Sequence, residues 1–172
     1  MACCERPLAK KLSAGTLFVM PNANTERMNV LLVDDDHSDL ALMGLAIERN
    51  DANIWLQTAS DTQRAMDYLD GRDAYADREM HPLPDLIILD LDMPLSSGFD
   101  FLDWRRSSAA HSTLPLVLLS GSAYPGAIQA ALAMGAKAWL PKPARFQDWK
   151  SIVDQIWRLG RADLQKEARE GI

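Results

Sequence analysis

Apolar and polar positions follow one another along this chain in blocks rather than residue by residue. NVLLV (29–33), IWLQTA (54–59), PDLIILDLDMP (84–94), LPLVLLSGS (114–122) and KAWLPKP (137–143) are short apolar runs bounded by polar or turn-forming residues. Runs of that kind suit strands buried on both faces. Helical spacing fills the intervals. Leu40, Leu42, Met43 and Ile47 lead to a stop near Asn50, with Asp36 or Ser38 placed to cap the start. TQRAMDYLDG closes on Gly71, a residue suited to the left-handed end of a helix. GFDFLDWRRSSAA (98–110) and PGAIQAALAMGA (125–136), the latter with Pro125 in its first turn, supply two more helices. In RFQDWKSIVDQIWRLGRADLQ (145–165), Phe146, Trp149, Ile152, Val153 and Ile156 share one face. The polar stretch RDAYADREMHPLP (72–84) is long for a connection between a helix and a strand.

Five strand–helix units in order predict an α/β domain whose parallel strands are joined by right-handed crossovers. The domain is expected over residues 28–158, after an N-terminal extension, 1–27, expected to be flexible. Residues 159–172 are expected to form a helix end and tail.

Composition narrows the function. At 172 residues and 48% hydrophobic content, the chain is long enough to bury a real core. A net charge of −6 argues against direct DNA binding, which needs a basic surface. Cys3 and Cys4 are adjacent and form neither a disulfide framework nor a zinc pattern, so a cytoplasmic setting is expected. His37, His81 and His111 lack metal-ligand spacing. No apolar run reaches the roughly 18–20 residues that span a bilayer, and the opening MACCERPLAKKLSAGTLFVM is weak as a secretory signal.

In doubly wound sheets, ligands bind beyond the carboxyl ends of the strands. On that rim the first strand ends in Asp34 and Asp35, the third in Asp90, the fourth in Ser120 and the fifth in Lys142. Unit charges about 4 Å apart repel by about 4 kcal/mol at an effective dielectric near 20, so clustered acid demands something positive. Asp36 reads more simply as a helix cap.

These residues, in this order, resemble the receiver domain of two-component response regulators. VDDD matches the acidic pair at Asp34 and Asp35, and LDLDMP the phosphoacceptor loop, with Asp90 as acceptor and Met93 and Pro94 shaping the turn. LLSG matches the switch hydroxyl at Ser120, and LPKP the lysine at Lys142, whose bond to Pro143 the family usually holds in cis. The resemblance covers roughly residues 28–158 and implies a flavodoxin-like (βα)5 sheet in the order 2-1-3-4-5. The 72–84 loop, the DLD spacing and the short tail also look like stand-alone receivers paired with bacterial phytochrome kinases. Three positions depart from the common pattern: Trp139 at the switch aromatic, serine at 120, and Asp92 two residues after the acceptor.

The resemblance further implies a Mg²⁺ ion held by Asp34, Asp35 and Asp90 and by the backbone carbonyl of Asp92. Asp90 would take a phosphoryl group from a sensor histidine kinase or phosphotransfer protein; an ionised carboxylate needs no general base to attack. Lys142 would supply charge, and Ser120 a hydrogen bond to the phosphoryl group. Output would pass through the face formed by helix four, strand five and helix five, with the bulk of Trp139 restricting the switch. Trp149, Ile152, Ile156 and Trp157 are expected to pack the last helix on the sheet, although the two tryptophans leave room for a homodimer face, and a downstream protein target is expected.

Two other readings compete. DxD in DLDMP resembles haloacid dehalogenase-like phosphatases, but there the acidic metal pair follows the nucleophile, whereas here it precedes it. A receiver-like scaffold that is never phosphorylated would usually have lost the acceptor or the acidic pair. The expectation is therefore a signalling protein that catalyses only its own phosphorylation and dephosphorylation, rather than an enzyme acting on another substrate.

Overall fold

The computed structural model describes residues 27–50, 52–93, 98–121 and 124–170, with side chains described as far as residue 162. The N-terminal extension up to residue 26, Cys3, Cys4 and Pro94 lie outside the described residues. Strands β1 (Met28–Val33), β2 (Ile54–Ala59), β3 (Leu86–Leu89), β4 (Leu116–Ser120) and β5 (Ala138–Pro141) form one parallel sheet ordered β2-β1-β3-β4-β5. The helices are α1 (His37–Arg49), α2 (Thr62–Asp70), α3 (Gly98–Ser107), α4 (Pro125–Ala133) and α5 (Trp149–Glu170). The expected fold and strand order are those observed.

Successive strand residues point to opposite faces, and each face finds its own helices. Val30, Leu32, Ile88 and Leu119 pack with Met43 and Ile47 of α1 and with Trp149 and Ile152 of α5. Leu31, Val33, Leu89 and Leu118 pack with Tyr68 of α2, Phe101 of α3 and Ala131 of α4. Both faces are therefore apolar, which is why the strands read as unbroken hydrophobic runs rather than as alternating ones.

Local chemistry sets the helix ends. Asp36 caps α1 by accepting from the Ser38 amide at 2.7 Å, and Gly71 ends α2 with φ +68°. The long polar connection is folded back on α2. Arg78 donates to the Tyr68 and Leu69 carbonyls at 2.8 and 2.7 Å, and the Tyr68 hydroxyl donates to the Pro82 carbonyl at 2.6 Å. One part of the expected last helix differs. Phe146–Asp148 form a 3-10 turn and the α-helix begins at Trp149, then runs unbroken past residue 158 to Glu170. The Lys142–Pro143 bond, expected in cis, is trans, the form an X–Pro bond prefers by about 0.5–1 kcal/mol.

The amino-end rim carries a fastener that sequence reading passes over. Arg105 of α3 is only 3% exposed, and its guanidinium donates to the carbonyls of Ser112, Leu114 and Gly135 at 3.0, 2.6 and 3.2 Å. It thereby ties the chain entering β4 to the turn entering β5. Arg105→Ala is expected to cost about 1–3 kcal/mol, because three hydrogen bonds from a buried charged donor are lost. Arg105→Lys should not recover that loss, since an ammonium lacks the planar fork. Denaturant midpoints for the two variants check this, and an unchanged midpoint for the alanine variant would refute it.

Candidate functional site

Backbone pairing continues one step past the strands and aligns the polar tips. The amide of Asp34 donates to the Ala59 carbonyl (3.0 Å), that of Asp90 to Val33 (2.9 Å) and that of Lys142 to Ser120 (3.1 Å). Asp34, Asp90, Ser120 and Lys142, distant in sequence, therefore stand on one rim. Gly98, at the start of α3, lets that helix approach closely: a Cβ there would lie 3.1 Å from the Asp90 carbonyl oxygen.

Lys142 reaches the middle of the acid. Its Nζ donates to Asp90 Oδ2 at 2.7 Å, and Asp34 Oδ2 and Asp39 Oδ2 lie at 2.7 and 2.8 Å. The contact with Asp34 is an ion pair rather than an aligned hydrogen bond, because Oδ2 meets no donor in good geometry. The remaining oxygens are turned onto backbone: Asp34 Oδ1 accepts from the Asp36 amide at 2.9 Å, and Asp90 Oδ1 from the Asp92 amide at 3.0 Å.

Burial and charge pull against each other here. Burial pushes the Asp34 carboxyl up to about 6, although Lys142 and the Asp36 amide both draw it down. For Lys142, burial by itself would depress the ammonium; contact with Asp34, Asp39 and Asp90 outweighs it, and its pKa lies above the ordinary lysine range. At neutral pH the site thus keeps a fixed positive charge 2.7 Å from the Asp90 carboxylate.

Asp34, Asp35 and Asp90 each offer a carboxylate oxygen, and these oxygens lie within 4.8 Å of one another. Asp34 and Asp90 are buried and Asp35 is exposed, so the cluster faces water on one side. An all-oxygen anionic set fits a hard divalent cation such as Mg²⁺ and suits thiophilic metals poorly. Asp92 is exposed, and its side chain stands apart from this set. It accepts from the Ser120 hydroxyl at 2.7 Å, so Ser120 is engaged with Asp92 rather than with Asp90. Trp139 lies on β5 opposite Leu118, half-buried against the core of the α2–α3–α4 face.

The rim thus brings together Asp34, Asp35, Asp90 and Lys142, with Ser120 and Asp92 as a bonded pair beside them. Asp39 went unnoticed in the sequence. An acid in the first turn of a helix has a sufficient local reason to be there, and its only signal is its spacing four residues after Asp35.

Comparison with known proteins follows the same lines. A family model for the response regulator receiver domain matches residues 30–154. The two-component response regulator ARR17 of Arabidopsis thaliana is 31% identical over 129 residues, covering 74% of this chain and 83% of that protein. The match to the larger regulator ARR10 of the same plant takes in only 23% of its length, at 29% identity over 81% of this chain. Among solved structures, response regulator RPA3017 in red light signaling of R. palustris superposes with a TM-score of 0.71 at 29% identity, covering 76% of this chain and 91% of that one. The phosphorylated cyanobacterial phytochrome response regulator RcpA gives 0.68 at 27% identity, with coverage of 76% and 91%.

Proposed function

The chain belongs to the response regulator receiver domain family, and from that membership we propose that it accepts a phosphoryl group on Asp90 from a phosphohistidine of a sensor histidine kinase or phosphotransfer protein. The observation that carries this reading is the 2.7 Å bond from Lys142 Nζ to Asp90 Oδ2, inside a ring of carboxylates that fits a divalent cation. In the transfer an Asp90 oxygen attacks phosphorus, the new O–P bond forms as the P–N bond breaks, and the imidazole leaves. Phosphoryl transfer of this kind depends on positioning and on neutralising charge more than on proton removal. A Mg²⁺ ion held by Asp34, Asp35 and Asp90, with the Asp92 carbonyl, would neutralise part of the charge on the transferring group. Lys142 supplies the fixed ammonium, and the Ser120 hydroxyl turns from Asp92 to a phosphoryl oxygen.

That last exchange starts the output. Moving the Ser120 hydroxyl draws the end of β4 inward and changes the space beside Trp139 on β5. It is a local change of charge that biases a bistable surface. The affected face is α4, β5 and α5, which would meet a downstream protein or a second copy of this chain. Similarity to red-light and phytochrome regulators favours a bacteriophytochrome as the kinase and a cytoplasmic setting.

Incubation with acetyl phosphate and Mg²⁺, followed by intact mass, tests the assignment. Wild type should gain a labile adduct of about 80 Da, the mass a phosphoryl group adds, and Asp90→Asn should gain none. A wild type without an adduct would leave a binding scaffold, and turnover of phosphate monoesters would revive the phosphatase reading.

A further inference from the structure

Three carboxylates share the Lys142 ammonium, and one of them, Asp39, has no part in the chemistry above. Its Oδ2 lies 2.8 Å from Nζ, matching the 2.7 Å contacts of Asp34 and Asp90. Yet Asp39 is not among the carboxylates that converge for a cation, which are Asp34, Asp35 and Asp90. It projects from the first turn of α1, a helix whose start is fixed by the Asp36 cap. A first-turn acid gains from the helix dipole while facing water. This one is instead only 21% exposed and turned onto the Lys142 ammonium.

We infer that Asp39 is a positioning residue that keeps the Lys142 ammonium beside Asp90 when a divalent cation draws on Asp34 and Asp90. This deepens the receiver reading and rests on it. A dication and an ammonium that lean on the same two carboxylates repel each other. Lysine is a compact charge on a flexible four-carbon stem, and the side chain is already 13% exposed, so repulsion has a way out to solvent. Asp39 lies outside the cation's ligand set and keeps its whole negative charge for Lys142. The ammonium then stays where the arriving anionic group needs it, and little reorganisation is left for the moment of transfer.

The test uses the full chain labelled with ¹⁵N and ¹³C at lysine, with Asp39→Asn, Asp39→Ser and Asp39→Glu beside wild type and thermal melts as a folding control. With saturating Mg²⁺, the Lys142 Nζ signal of wild type should remain protected from solvent exchange. It should be lost in the asparagine and serine variants and retained with glutamate, whose carboxylate still reaches. Phosphorylation by acetyl phosphate should slow about tenfold in the first two, equal to about 1.4 kcal/mol of barrier, and recover with glutamate. Calorimetric Mg²⁺ affinity should stay within about threefold, since the charge removed is not a ligand. A protected Lys142 signal in Mg²⁺-loaded Asp39→Asn, or a faster rate in that variant, overturns the proposal. If wild type takes no phosphoryl group at all, the receiver reading fails, while the lysine signals still decide the role of Asp39.

Discussion

Lys142→Ala is expected to be the most damaging single change at the rim. Breaking a buried ion pair by deleting one partner costs about 3–5 kcal/mol, because the other charge stays buried without compensation. Here Asp34, fully buried, and Asp90, 5% exposed, both lose the same ammonium. The deficit should depend on pH in a defined direction. The Asp34 carboxyl is raised by burial to about 6, above its unfolded value of 3.8, so its contribution is fully present below 3.8 and lost as pH rises through about 6. Without Lys142 to oppose burial, that loss grows and moves to higher pH. The variant should therefore fall furthest behind wild type above pH 7 and close part of the gap near pH 5. Urea melts across this range measure it; a deficit that widened on acidification would overturn the electrostatic account. Phosphoryl uptake should fall together with stability, while Lys142→Arg should keep more stability than activity, because its rigid planar fork cannot reproduce a single point charge.

The second large effect comes from adding a cation. A ligand that binds only the folded chain stabilises it by about 2.7 kcal/mol at one hundred times its Kd. For a chain of this size that corresponds to a rise in Tm of about 5–10 °C. Saturating Mg²⁺ should produce the rise, a chelator should reverse it, and monovalent salt of matched ionic strength should not mimic it. Asp35→Ala is the informative control. Asp35 belongs to the converging set, yet it is exposed and outside the contacts of Lys142, so its removal should abolish the shift at little structural cost. An equal Mg²⁺ response in this variant would mean that the ion binds elsewhere.

Most of the fold was legible because the sheet is apolar on both sides. Each strand appears as a run such as NVLLV or LIIL, and the acids that end those runs mark the rim. The rest depended on three-dimensional partners with no local signature. Arg105 and Arg106 look alike at the end of α3; only packing shows that the first is buried on three carbonyls while the second pairs with exposed Asp103. Asp36 reads as a helix cap and is one, whereas Asp39, in the first turn of the same helix, carries no sign in the sequence that it meets Lys142. The pairing of Ser120 with Asp92 joins residues 28 positions apart across two strands, beyond any periodicity. The start of α5 was missed because Phe146 and Trp149 fit one helical face, although the chain makes a 3-10 turn first.

Arg105 is braced at the edge of the sheet opposite the one that carries the acids. A domain so divided can tolerate an unfavourable charge arrangement at one end, because the other end is cross-tied by uncharged acceptors that neither salt nor phosphate disturbs. Substitutions at the two ends share no partners, so their effects on stability are expected to add, and a loss at the acidic rim should leave the ties made by Arg105 in place.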